Sequence, residues 1–155
     1  MNRTLSLGIV VAVAAAAVFF ALRGNTNSAG DGAEAREVRA VLDAQVAAWN
    51  RGDIEGFMQG YEQSADITFI SGDDVTRGWQ TVLERYKRSY DTREKLGTLA
   101  FSDIEVKPLS PFYALAHGRW QLARAADTPR GRFTLLFRRT VKGWRVVHDH
   151  TSSAQ

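Results

Sequence analysis

The chain predicts an α+β fold, a curved antiparallel sheet wrapped around a long first helix, and three observations predict it. Helical periodicity dominates the first part of the chain after residue 32, with one short strand at Asp66–Ser71, and period-two alternation takes over after Gly97. A length of 155 residues suits one such domain and is short for two cores. Apolar residues make up 45% and charged residues 24%, the balance of a globular chain.

The first element precedes the domain. Leu5 to Leu22 is an apolar run broken only by Ser6 and Gly8. At ~1.5 Å per residue a helix of that length spans about 27 Å, close to the hydrocarbon thickness of a bilayer. It exceeds the roughly 7–15 apolar residues of a removable signal, and Arg23 follows it instead of a small-residue cleavage site. Residues 1–23 are therefore expected to act as an uncleaved single-pass inner-membrane anchor, with a cleaved signal as the alternative. Arg3 keeps the amino terminus inside and sends the rest outward, to the periplasmic side. Residues 24–32, small and polar, predict a flexible linker, and 33–153 the domain.

Within the domain, Val38, Val41, Leu42, Gln45, Val46 and Trp49 form one continuous helical face, which Gly52 ends. Asp53 is placed to cap a short second helix carrying Phe57, Met58 and Tyr61. Asp66 to Ser71 predicts a strand, and Gly72-Asp73-Asp74 turns the chain into a third helix near Trp79 to Tyr90. That helix packs through Trp79, Val82, Leu83, Tyr86 and Tyr90 and turns Arg85, Lys87 and Arg88 to water. Thr98 to Lys107 alternates on one face through Phe101 and on the other from Ile104, which predicts a bulge near Ser102 and Asp103. Phe112–Arg124, Arg132–Thr140 and Trp144–Ser152 follow as strands joined by tight turns.

Charge and composition exclude several functions. Arg3 and Arg23 account for two of the 20 Lys and Arg, leaving 18 against 17 acidic residues from Gly24 onward, so nothing in the balance calls for nucleic acid. The absence of cysteine excludes disulfides, thiolate metal sites and a thiol nucleophile. His148 and His150 share one face of a strand, but His117 is the only other histidine and no third ligand converges, so no metal and no cofactor are expected.

The segments AAWNRGD (Ala47 to Asp53), ADITFISG (Ala65 to Gly72), RGWQTVLERY and KGWRVVHDHTSS (Lys142 to Ser153) resemble the nuclear transport factor 2-like superfamily. Within it the chain is most similar to bacterial SnoaL-like and ketosteroid isomerase-like proteins. The terminal segment also resembles the association domain of calmodulin-dependent kinases. The resemblance implies a cone-shaped, cystatin-like fold with a pocket between the first helix and the sheet. Against the ketosteroid isomerase pattern, Gln45 stands where a phenolic oxyanion donor belongs and Ser71 where the base carboxylate belongs, so that mechanism is not expected. Against the association domain, Arg119 matches one pocket arginine, while Leu135 and Thr151 stand at the other two.

With Arg119 inward, Leu115, His117, Gln121, Phe133, Leu135, Phe137, Val147, Asp149 and Thr151 face the pocket. The expected pocket is then Gln45, Trp49, Phe57, Tyr86, Arg119, Leu135, Asp149 and Thr151, holding a small apolar or weakly acidic ligand. If the domain is an isomerase, dehydratase or hydrolase, Asp149, His117 and Tyr86 are its candidate catalytic groups. The opposite face, with Trp120, Trp144, His148 and His150, is too apolar for water and predicts a homodimer. Gln45, polar on an apolar helix face, needs either a structural hydrogen bond or a ligand contact if buried.

Overall fold

The computed structural model describes residues 27–154, with side-chain surroundings from residue 32 onward. The run Leu5–Leu22 lies outside them, and among the described residues no helix is long and apolar enough to cross a membrane. The chain divides into two units, Met1–Ala33 and Glu34–Gln155, and the second carries the sheet.

Helix α1 spans Asn27–Asn50, so it begins inside the segment predicted as a flexible linker. A helix already nucleated gains one hydrogen bond per added residue, and each glycine in it costs only ~1 kcal/mol, so a small polar segment can extend it. Val38, Leu42, Gln45, Ala48 and Trp49 are buried along the predicted face. In α2, Ile54–Met58, Asp53 caps the helix by accepting the Gly56 N–H at 2.7 Å, and this bond holds its carboxyl below the usual range. Then come β1 (Thr68–Ser71), β2 (Asp74–Arg77), α3 (Trp79–Ser89), α4 (Arg93–Leu96), β3 (Thr98–Ser110), β4 (Tyr113–Ala123), β5 (Arg130–Thr140) and β6 (Gly143–Ser153). Sequence reading misses β2 and α4, each only four residues long and too short to show a period.

The strands form one sheet in the order β2-β1-β6-β5-β4-β3. Every neighbouring pair is antiparallel except β1 and β6, which run parallel. Tight turns make neighbours in sequence antiparallel, but no turn joins β1 to β6, so their direction is unconstrained locally. In β3 the register slips between Ser102 and Glu105, with Asp103 at a φ of 50°, where the face switch predicted a bulge.

Two assignments of strand facing are corrected. On β4 the inward residues are Ala114, Ala116, Gly118, Trp120 and Leu122, opposite to expectation. Three of these small residues pair with Phe137, Leu135 and Phe133 on β5, so small side chains on one strand make room for large ones on the next. Arg119 therefore points outward, its side chain 52% exposed and paired with Asp103 at 2.8 Å. His117 is also outside, 3.6 Å from Glu105.

On β6 the register slips opposite Leu136 and Phe137, and this bulge brings Trp144 and Val146 to the same inner face as Asp149. Trp144 is thus a core residue, 2% exposed, its indole N–H donating to Glu37 at 2.9 Å. Trp120 turns inward as well and donates to the Ser152 carbonyl at 3.0 Å. Of the residues assigned to the dimer face, only half-buried His148 and exposed His150 lie outside, beside Leu136 and Thr134.

The Trp120 contact depends on Gly131, its strand partner, where an added Cβ would stand 1.8 Å from the Ser152 oxygen. Gly131→Ala is expected to push β5 from β6 and cost about 1–3 kcal/mol or more in urea unfolding. Unchanged stability would mean the strands have slack there.

Candidate functional site

A cavity of about 180 Å³ lies between α1, α2, α3 and the inner face of the sheet. Its apolar wall is largely aromatic. Trp49 meets Tyr90, Phe57 and Tyr86 edge-on at centroid distances of 4.7, 5.1 and 5.9 Å, and Phe57 meets Tyr86 at 5.4 Å. Edge-to-face contacts fix ring orientation as well as burying area, so this wall is rigid. The Trp49 indole donates to the Leu96 carbonyl at 3.1 Å, which ties α1 to the end of α4. Phe69, Phe101, Trp120, Leu122, Phe133 and Leu135 complete the wall from the sheet.

Gln45 is 2% exposed and donates its amide to the Phe57 carbonyl at 3.2 Å, so it ties α1 to α2 as well as lining the cavity. It lies directly against Gly60, where a Cβ would come within 2.5 Å of the Gln45 amide carbon. Gly60→Ala is expected to displace this buried amide and lower the midpoint of thermal unfolding by several degrees, as ~1–2 kcal/mol implies for a small domain. An unaltered midpoint would show that the Gln45 contact contributes nothing.

The polar focus of the cavity is Asp149 on β6, 4% exposed. The Tyr61 hydroxyl donates to its Oδ2 at 2.6 Å, and the Thr151 hydroxyl donates to its Oδ1 at 2.8 Å. Burial raises its pKa from 3.8 to about 6, while these two hydrogen bonds and the charges of His150 and Arg85 pull the other way. Burial, and then the Asp149 charge, holds the phenols of Tyr61 and Tyr86 well above the ordinary tyrosine value. Asp149 thus titrates well above an ordinary carboxyl, beside two phenols that stay protonated. Such a carboxyl can take or give a proton, or accept a hydrogen bond from a ligand, without leaving the apolar wall.

The structure brings Gln45, Trp49, Phe57, Tyr86, Leu135, Asp149 and Thr151 together on the cavity, with Ser71, and leaves Arg119 and His117 on the other side of the sheet. Asp149 therefore has no basic histidine beside it in the cavity. Tyr61 is the partner that sequence reading misses. After α2 the chain runs beside β6, the Gly60 carbonyl accepting from Val146 N–H at 2.9 Å and Glu62 N–H donating back at 3.0 Å. This bridge sets Tyr61 against a carboxylate 88 residues away in sequence. The available signal was chemical: a phenol on an apolar face needs a partner once buried. Arg85, expected in water, also lines the cavity.

The SnoaL-like domain family matches residues 38–155. Among solved structures, the chain is similar to a nuclear transport factor 2-like protein of unknown function from Shewanella oneidensis. The two are 42% identical over 76% of this chain and 97% of that one, with a TM-score of 0.73. A ketosteroid isomerase-like protein from Erwinia carotovora atroseptica shares the fold at 21% identity over 79% of this chain and 97% of its own, with a TM-score of 0.64. So does a calcium/calmodulin-dependent protein kinase II association-domain-like protein from Xanthomonas campestris, at 16% identity over 77% and 86%, with a TM-score of 0.63. No curated protein sequence matches significantly.

Proposed function

The chain belongs to the SnoaL-like domain family, and from that premise we propose that it is a small-molecule-binding domain held outside the cytoplasm by its N-terminal segment. The observation that carries this reading is the aromatic-walled cavity with one buried, hydrogen-bonded carboxyl in its wall. An apolar pocket with a few convergent polar groups is the form that ligand sites usually take. A cavity of about 180 Å³ suits a molecule of one ring, since a dry cavity of roughly 150 Å³ accepts benzene. Native mass spectrometry of the full chain, purified from its own cells in mild detergent, tests it. A defined extra mass that is lost when Trp49 is replaced by a smaller residue supports binding; an empty chain under every mild condition opposes it.

Export rests on the length of the Leu5–Leu22 run and the arginines that flank it. Protease added to intact spheroplasts should digest the domain, and full protection would reverse the topology. Self-association is the third part of the reading, through half-buried Leu115, Leu136 and Val147 on the outer sheet face. Sedimentation should show a dimer that dissociates on dilution, whereas a monomer at every concentration would remove it.

An enzymatic reading is favoured by one observation, the buried Asp149 carboxyl that accepts from Tyr61 in the cavity wall and whose pKa burial raises to about 6. In that reading Asp149 exchanges a proton with the bound molecule, and Tyr61 and Tyr86 orient it. Asp149→Asn would then abolish turnover while ligand affinity changes little.

A further inference from the structure

The cavity contains an arginine with no direct ion-pair partner. Arg85 is the one lysine or arginine in its wall among the described residues, and no carboxylate lies within ion-pairing distance of it there. Of the other half-buried arginines among the described residues, Arg124 has Asp127 and Arg145 donates to the Trp144 carbonyl at 2.7 Å, and neither lines the cavity. Arg85 is half-buried, yet it is well placed. Its Nη1 donates to Thr76 Oγ1 at 3.2 Å, and its guanidinium lies over the Phe69 ring at 4.9 Å. A hydroxyl and an aromatic face orient a guanidinium without neutralising it, and they leave most of its five N–H donors unused.

Asp149 does not fill this role. Its two oxygens accept from Tyr61 and Thr151, it makes no direct ion pair with Arg85, and Arg85 acts on it only through the electric field. A half-buried charge in an aromatic wall is costly unless something pairs with it, and a planar carboxylate suits the guanidinium fork. The arginine expected from the sheet, Arg119, lies outside, so Arg85 on α3 supplies the cavity's positive charge from the opposite wall.

We propose that the molecule bound in this cavity is a monocarboxylic acid with a single aromatic or alicyclic ring, whose carboxylate is received by Arg85 while its ring lies among Trp49, Phe57, Phe69 and Tyr86. The proposal rests on the cavity being a ligand site and adds the chemical class of the ligand.

The test compares paired probes on the full chain in mild detergent: benzoate, phenylacetate and cyclohexanecarboxylate, each against its neutral amide. Binding is read by quenching of tryptophan fluorescence, since Trp49 and Trp120 line the cavity, and by titration calorimetry. At least one acid should bind about tenfold more tightly than its amide, the size of one charge-assisted pair. Arg85→Gln should erase that preference and leave the affinity for the amide unchanged, with Arg85→Lys intermediate because it keeps charge without the fork. Equal binding of acid and amide, or an acid preference that survives Arg85→Gln, overturns the role of Arg85 and leaves the cavity reading standing. Failure of every acid and every amide to bind overturns the cavity reading with it. If Arg85→Gln does not fold, the acid-to-amide ratio of the unaltered protein decides the class, and Arg85→Lys decides the residue.

Discussion

Replacing Asp149 by asparagine is expected to make the domain more stable at pH 7 than the unaltered protein, by as much as about 3 kcal/mol, and no more stable at pH 4. The sign follows from burial. The carboxyl titrates near 6 when folded and near 3.8 when the site is open to water. Between those values the folded chain holds a proton that the unfolded chain has released, so stability falls as pH rises through that window. Above about 6 both states are ionised, and the folded one keeps the penalty of a buried charge. Asparagine can still accept from Tyr61 and donate to Thr151, so it keeps the geometry and removes the titration. Asp53 and Asp91, whose carboxyls are held low by local hydrogen bonds, act oppositely but equally in both proteins and cancel in the difference. Urea unfolding of the two proteins from pH 4 to 8 reads that difference. Parallel curves would show that the Asp149 carboxyl is not raised.

Truncating Trp144 to alanine is expected to cost about 3–5 kcal/mol, with no dependence on protein concentration. The indole is 2% exposed, sits over α1 in the core, donates to Glu37 and lies under the Arg139 guanidinium at 5.4 Å. A tryptophan on a subunit face would behave differently: its loss would weaken association and spare the monomer. Denaturation at two protein concentrations well apart separates the two, and a cost that disappears on dilution would return Trp144 to the outer face.

These two residues mark where sequence reading succeeds and where it stops. Asp149 can be placed on the inner face of β6 from alternation alone, because Thr151 and Asp149 keep period two up to the bulge. Trp144 cannot, since the register slip opposite Leu136 and Phe137 reverses the parity of everything before it. Alternation reports which residues share a face only while no residue is inserted. On β4 the difficulty is different. Leu115 outside and Ala114, Ala116 inside are all apolar, so hydrophobicity does not distinguish the faces, and a facing taken from the Arg119 match comes out reversed. The bulge in β3 was legible for the converse reason: there the apolar residues themselves change face.

By itself the sequence determined the α+β class, the buried face of α1, the Asp53 cap and the tight turns between the last strands. Each depends on residues within a few positions of one another, where period, capping and turn chemistry act directly. Only the tertiary structure decided what the cavity contains. Tyr61 reaches Asp149 because the chain after α2 bridges to β6, and Arg85 turns inward because Phe69 and Thr76 give its guanidinium a seat. Arg119 and His117 leave the site because small β4 residues must face large β5 ones to close the core. A helical arginine reads as solvated until the strand beside it is known, and a strand's facing is fixed by how side chains of different volume pack across the sheet, a quantity that no single segment holds.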